Sequence, residues 1–211
     1  MKMNAKKKLS GISILLLVLC LLALVTSVSA DTPLLFSPAV NYPVGSTPYS
    51  SVSGDFNLDG IPDLAVVNYY NFNVGILLGI GNGTFAPQVT YPVYSGGSPF
   101  YLATADFNKD TYLDLVSINP DFERSVAGSV LLGNGSGGFA APINYQTSGY
   151  ARSVAVGDFN LDTKPDIVVP NSDTNNLSVL LGNGSGGFAA AVNYPMGVQP
   201  NSVAVDDFNG D

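Results

Sequence analysis

A nine-residue acidic segment recurs about every fifty residues, and no other feature limits the fold of this chain so strongly. Asp55-Phe56-Asn57-Leu58-Asp59-Gly60-Ile61-Pro62-Asp63 returns as Asp106-Phe107-Asn108-Lys109-Asp110-Thr111-Tyr112-Leu113-Asp114. It returns again as Asp158-Phe159-Asn160-Leu161-Asp162-Thr163-Lys164-Pro165-Asp166, and a fourth copy begins at Asp207-Phe208-Asn209-Gly210-Asp211. The starts are 51, 52 and 49 residues apart, and eleven of the sixteen acidic residues belong to these segments. A chain so organised is built from one supersecondary unit used repeatedly.

The flanks of each copy repeat as well. Small and β-branched residues precede it (52–54, 102–105, 154–157, 203–205), and apolar runs follow at 64–67, 115–118 and 167–169. A third run ends in Leu-Leu-Gly at residues 77–79, 131–133 and 180–182. A Gly-rich turn then leads to a fourth at 85–91, 139–145 and 188–194. Short β-branched runs bounded by Gly, Asn, Asp and Pro read as strands, and nothing after residue 30 keeps helical periodicity over three turns. Four antiparallel strands per unit describe a blade of an all-β propeller. The expected blades are 46–94, 95–147 and 148–197, with a partial blade at 198–211. Residues 36–45 match the fourth-strand passage 188–197 and are expected to form an orphan outer strand. Three full blades are fewer than the four to eight of a closed ring. The expectation is therefore a piece of a larger, seven-bladed ring, with self-association of partial rings as the alternative.

Residues 1–30 stand apart. Lys2, Lys6, Lys7 and Lys8 precede an apolar run of 14 residues, 12–25, and small residues lead to Ala30. This pattern is that of a secretory signal peptide, and the run is shorter than the roughly 20 residues that span a bilayer. An uncleaved anchor is the alternative. Cleavage after Ala30 leaves four basic residues against sixteen acids, a net charge of −12, and no cysteine. Such a chain repels nucleic acid and anionic membranes and suits a cation. The sequence contains no His, and its one Cys (Cys20) lies in the signal. Every His-based metal site and every Ser–His or Cys–His pair is thereby excluded. The expectation is a non-enzyme.

Asp, Asn, Asp and Asp at positions 1, 3, 5 and 9 put hard oxygen donors on one tight loop, with no nitrogen or sulfur among them. That donor set favours calcium over zinc or copper. The candidate ligands are Asp55, Asn57, Asp59 and Asp63; Asp106, Asn108, Asp110 and Asp114; Asp158, Asn160, Asp162 and Asp166; and Asp207, Asn209 and Asp211 of the incomplete copy. The backbone carbonyls of Ile61, Tyr112 and Lys164 at position 7 complete the sets. Position 12 is Val66, Ser117 and Val169, which rules out an EF-hand. Position 6 is Gly60 in the first copy and Thr111 and Thr163 in the others. If it needs positive φ, the first loop is the best site, and the third, which keeps its lead-in Gly157 and its Pro165-Asp166 exit, is second. Plain Asx-turns are the competing explanation, set against the repulsion of clustered carboxylates without a cation.

These loops, with Gly54-Asp55-Phe56 and Gly157-Asp158-Phe159 leading in, resemble the FG-GAP/VCBS repeats of integrin-α-type β-propellers. The Gly-Phe-Ala-Ala runs at 138–141 and 187–190 resemble the other half of that repeat. The resemblance covers residues 36–211. It implies calcium in the hairpin between the first two strands of each blade, and a ligand-binding or cell-adhesion module that is secreted or held at the cell surface.

Two Gly-x-Gly-x-x-Gly passages, 133–138 and 182–187, fit a dinucleotide fingerprint only in letters, because strand rather than helix follows. Glycosylation sequons begin at Asn82, Asn134, Asn176 and Asn183 and matter only in a host that glycosylates exported proteins. Up-and-down topology places the acidic loops and the Gly-rich turns at one end of the sheets. The opposite end carries loops that differ between blades (68–73, 119–124 and 171–176). Tyr69, Tyr70, Phe72, Tyr94, Tyr150 and Arg152 are the candidate ligand residues there, since aromatics and Arg are common anchors. The expected partner is an extracellular protein or glycan. A lectin-like binder and an accessory propeller of an extracellular enzyme are the alternatives.

Overall fold

The computed structural model describes residues 38–93, 96–120 and 127–209. The expected signal segment and part of the expected outer strand lie outside them, as do Tyr94, Arg124, Gly210 and Asp211. Residues 42–211 form one compact unit; of the other unit, residues 1–41, only 38–41 are described, and they hold no regular element.

Twelve strands form three four-stranded antiparallel sheets, each in simple up-and-down order. The first sheet is β1 (Pro48–Gly54), β2 (Asp63–Asn68), β3 (Asn73–Leu77) and β4 (Val89–Pro92). The second is β5 (Tyr101–Ala105), β6 (Asp114–Ile118), β7 (Gly128–Leu131) and β8 (Ile143–Tyr145). The third is β9 (Ala155–Gly157), β10 (Asp166–Asn171), β11 (Asn176–Leu180) and β12 (Val192–Pro195). The only helical element among the described residues is a single 3₁₀ turn, Tyr69–Asn71. These are propeller-type blades. β1 packs beside β5, and β5 beside β9, so the first strand of each blade is the innermost.

The middle strands are buried on both faces, which explains why they read as unbroken apolar runs: all five residues of β6 and all six of β10 are buried. The core lies between blades. One cluster joins Phe56, Val67 and Ile76 of the first blade to Leu102, Leu115 and Leu131 of the second. The other joins Phe107, Ile118 and Val130 to Ile167, Val169 and Leu180. Each fully buried Val, Leu or Ile contributes about 1.5–3 kcal/mol.

The Phe of each Gly-Phe turn is the key of this packing. Phe139 sits edge-on against Phe56 (5.7 Å between centroids) and Tyr91 (5.4 Å) of the preceding blade. Phe188 repeats this against Phe107 (5.7 Å) and Tyr145 (5.5 Å). The backbone follows: Gly137 N–H donates to the Phe56 carbonyl (2.9 Å) and Gly186 N–H to that of Phe107 (3.1 Å). At the outer face of the third blade the equivalent rings have no such cover, so Phe159 is 41% and Tyr194 52% exposed, against 2% for Phe107 and 8% for Tyr145.

This use of the Phe shifts the fourth strands. They begin at Val89, Ile143 and Val192 rather than at Phe85, Phe139 and Phe188, which make only single bridges to Gly79, Gly133 and Gly182. Residues 38–45 and 198–209 carry no strand, so neither the outer strand expected at 36–45 nor the inner one at 203–205 forms over the described residues. Tyr42 nevertheless packs edge-on against Phe85 at 5.4 Å, the place Tyr91 and Tyr145 take against the next Phe.

Candidate functional site

The acidic loops are wound by two left-handed residues each. Position 4 has positive φ in the three complete copies (Leu58 61°, Lys109 63°, Leu161 60°), and so has position 6 (Gly60 80°, Thr111 76°, Thr163 67°). The conformation expected at position 6 is present, and the two threonines hold it against the strain of a β-branched side chain. Position 4 is not Gly in the three complete copies, and Gly210 of the incomplete copy is the one residue in the sequence that hints at this conformation.

Winding the loop this way turns backbone amides onto the acidic side chains. In the first loop Asp55 accepts from Asp59 N–H (3.1 Å) and Gly60 N–H (2.9 Å), Asn57 Oδ1 accepts from Asp59 N–H (3.2 Å), and Asp59 Oδ1 accepts from Ile61 N–H (2.8 Å). The second loop repeats these at Asp106, Asn108 and Asp110, between 2.8 and 3.0 Å. The third repeats them at Asp158, Asn160 and Asp162, between 2.8 and 3.1 Å. The bland alternative, Asx-turns, is thus part of the structure, and it leaves acceptor capacity, since a carboxylate offers about four lone-pair sites.

Position 9 has a second task. Asp63, Asp114 and Asp166 are fully buried. Each accepts the N–H of the Phe at position 2 (2.8, 2.8 and 2.9 Å) and the N–H of the Gly of Leu-Leu-Gly (2.7, 2.8 and 2.7 Å). One carboxylate therefore ties the acidic loop to the Gly-rich turn, which places both at the same end of the sheet. A Cβ on Gly79, Gly133 or Gly182 would lie 2.2–2.4 Å from the carbonyl oxygen of position 8, so only glycine fits. The repeated Leu-Leu-Gly was the signal for this tie. Burial pushes the Asp114 carboxyl up to about 6, against the lowering pull of the two amides, with Asp110 and Asp106 adding to the rise.

The donor set is all oxygen and anionic, which fits a hard cation such as calcium. Among the described residues no three Asp, Glu, His or Cys side chains gather closely enough to hold a metal by themselves. A cation here would draw also on the Asn side chain and on backbone carbonyls such as those of Ile61, Tyr112 and Lys164. The loops differ in charge. The first holds no basic residue, whereas Lys109 of the second reaches Thr163 Oγ1 (3.0 Å). Lys164 of the third pairs with Asp162 at 2.9 Å; that contact holds Asp162 below and Lys164 above their usual ranges. The third loop, expected to rank second, thus carries an internal competitor for a cation. In the fourth copy Asp207 and Asn209 are exposed and Asp211 lies outside the described residues.

A scan against family models matches the FG-GAP-like repeat three times, over residues 55–117, 114–169 and 158–211. This chain belongs to the FG-GAP-like repeat family. No curated protein matches it. The first and third FG-GAP matches begin on the first Asp of an acidic loop and the second on the last Asp of one.

The opposite end of this FG-GAP chain gathers aromatic rings. Tyr69 stacks edge-on with Tyr70 (4.8 Å) and Phe100 (5.0 Å), and Tyr49 with Phe100 (4.8 Å); Tyr49 and Tyr69 are 6.1 Å apart, and Phe100 and Tyr150 6.5 Å. The Arg152 guanidinium lies 5.5 Å above the Tyr150 ring. Of the candidates, Tyr69, Tyr70, Tyr150 and Arg152 come together. Phe72 follows the 3₁₀ turn in a left-handed conformation (φ 53°) and joins none of these ring contacts, and Tyr94 lies outside the described residues. Tyr49 and Phe100 belong to the cluster too, and the signal that marks them is their common place six residues before Asp55 and Asp106. Burial, with Tyr69 adding, holds the Tyr150 phenol above its usual range, so it stays a neutral hydroxyl.

The loops at this end begin on a common residue. Asn68, Asn119 and Asn171 close the second strands and are fully buried. Asn68 and Asn171 donate to Asn73 and Asn176 across the turn (both 2.8 Å), and Asn119 to Ser129 (2.8 Å). The variable surface starts one residue later than the sequence suggests. The Gly-rich passages are turns: Asn134 Oδ1 accepts from Ser136 N–H (2.9 Å) and Gly138 N–H (3.0 Å), and no helix follows.

Proposed function

We propose that this chain is a secreted, calcium-stabilised, non-catalytic FG-GAP module that binds an extracellular protein or glycan through its aromatic end. The observation that carries the reading is the threefold recurrence of one acidic loop with the same winding and the same amide contacts. Bound calcium would supply positive charge to loops holding three carboxylates each. Asp55, Asn57, Asp59 and Asp63 would hold it best, because Gly60 takes the left-handed conformation without strain and no lysine competes.

The basic, apolar start of the chain and the family support export, and no helix among the described residues is long and apolar enough to cross a membrane. The absence of His and of any Cys beyond Cys20 supports a binding role over a catalytic one. Extracellular modules bind calcium at about 0.1–1 mM. With roughly 2 mM calcium and the tighter figure, each occupied site adds about 1.8 kcal/mol, and three add about 5 kcal/mol. Melting in excess EDTA against millimolar calcium tests this, and superimposable curves would discard it. The grouped aromatics favour a lectin-like reading over a purely protein-directed one, and a glycan array separates the two.

A further inference from the structure

We propose that the mouth formed by the starts of the innermost strands is an oligosaccharide site selective for sugars bearing a carboxylate, with Arg152 as the carboxylate anchor and Tyr49 and Phe100 as the stacking surface. This rests on the reading of the chain as a ligand-binding module and names the class of ligand.

Tyr49, Phe100, Arg152 and Asn201 each stand six residues before the first Asp of their own acidic motif. The repeat therefore delivers them to the same level of successive blades. They line one cavity of about 220 Å³ together with Tyr101 and Tyr150. A second cavity of about 510 Å³ shares Tyr150, Arg152 and Asn201 and adds Ser172, Asp173 and Gln199. One structural position thus changes from aromatic to polar around the mouth.

The two halves suit the two sides of a pyranose. A sugar ring has a C–H face that lies on an aromatic surface, and Tyr49, 55% exposed, offers such a surface beside Phe100. Its hydroxyls need donors and acceptors, which the amides of Gln199 and Asn201 and the hydroxyl of Ser172 provide. Adjoining cavities with shared walls accommodate neighbouring sugar units.

Arg152 decides the charge of the ligand. Its Nε–H donates to Ser172 Oγ (3.2 Å), which donates in turn to the Tyr150 carbonyl (3.3 Å), while the Tyr150 ring lies beneath the guanidinium. Two contacts orient the group, and no ion pair or hydrogen bond among the described residues engages its terminal amino groups. A forked pair of donors, already oriented, matches a carboxylate at two points. Asp173 in the second cavity is turned to the backbone, accepting the Tyr150 N–H (2.7 Å), and most of the remaining negative charge sits in loops at the far ends of the strands. Six residues of strand separate Tyr49 from Asp55, about 20 Å, against a screening length of about 8 Å at physiological salt.

Calorimetry on the full chain in millimolar calcium tests the assignment, with a glucuronate-containing oligosaccharide, the same sugar with its carboxyl reduced to an alcohol, and an acidic peptide as probes. The uronate should bind about tenfold or more tightly than its reduced form, the worth of a charge-assisted hydrogen bond. Arg152→Gln should bring the two sugars to equal affinity, and Tyr49→Ala should weaken both. Arg152 and Tyr49 are exposed, so both variants should melt as the parent does. Equal affinities in the parent, or a preference that survives Arg152→Gln, overturn the assignment. Binding of the peptide but not the uronate also overturns it, and leaves the ligand-binding module standing. Loss of both uronate binding and calcium-dependent melting removes the module as well.

Discussion

At the end that carries the acidic loops, the three blades repeat one another bond for bond. Positions 1, 3, 5 and 9 take the same amides in each, and one buried aspartate ties each loop to its Gly-rich turn. At the other end neither the loops nor the side chains repeat: among the described residues only the first blade has a 3₁₀ turn, and a single repeat position holds Tyr49, Phe100, Arg152 and Asn201. The first end is uniform because the same amide contacts close each loop and the same backbone bond joins it to the next blade, Gly137 N–H to Phe56 and Gly186 N–H to Phe107, so a change that breaks one of them costs stability. The second is free to vary because its side chains project past the ends of the ladders. On the proposed function, holding the blades and recognising a ligand fall to opposite ends of the same strands.

Removing calcium should produce the largest effect and confine it to the first end. A loss of about 5 kcal/mol in EDTA, read as a fall in melting temperature, should leave the ring cluster of Tyr49, Tyr69 and Phe100 intact until unfolding, as near-ultraviolet circular dichroism would report. Gly133→Ala comes next. The new methyl meets the Leu113 carbonyl oxygen, and the displaced backbone should cost about 1–3 kcal/mol, measured by urea unfolding. An effect near zero would mean the tie through Asp114 is dispensable.

The Asp114 carboxyl gives a pH signature in calcium-free buffer. Its pKa in the folded protein is raised to about 6 from 3.8, so the folded state binds its proton more tightly than the unfolded chain. Stability should therefore fall as pH rises through the window from about 4 to 6 and level off above it, by about 3 kcal/mol. Asp114→Asn should flatten that slope, and a parental slope in the variant would refute the origin. Thr111→Gly should be smaller still. Relief of left-handed strain stabilises by about 1 kcal/mol, and calorimetry should show the second loop approaching the first in calcium affinity. The smallest effect belongs to the other end: Tyr70→Ala, at a ring 64% exposed, should move stability by no more than about 0.5 kcal/mol. A larger loss would make the aromatic end structural and erase the contrast.

Much of the first end was legible in the sequence. The need for positive φ at position 6 followed from Gly60, and the adjacency of acidic loop and Gly-rich turn followed from up-and-down order. The left-handed Leu58, Lys109 and Leu161 were not read, because the only glycine at their position is Gly210 of the incomplete copy. The fourth strands were read four residues too early, because Phe85, Phe139 and Phe188 look like strand residues. They serve instead to fill the gap beside a ring of an adjoining segment.

Period, strand count and the acidic loops were determined by the amino-acid sequence alone, because the contacts that specify them close within nine residues or between neighbouring strands. Only the tertiary structure decided which aromatics meet. Tyr49, Phe100 and Arg152 lie about fifty residues apart along the chain and in different sheets. The repeat register sets them at a common level, but whether their side chains meet depends on how successive blades pack through Phe56, Phe139, Phe107 and Phe188, which no residue near them records.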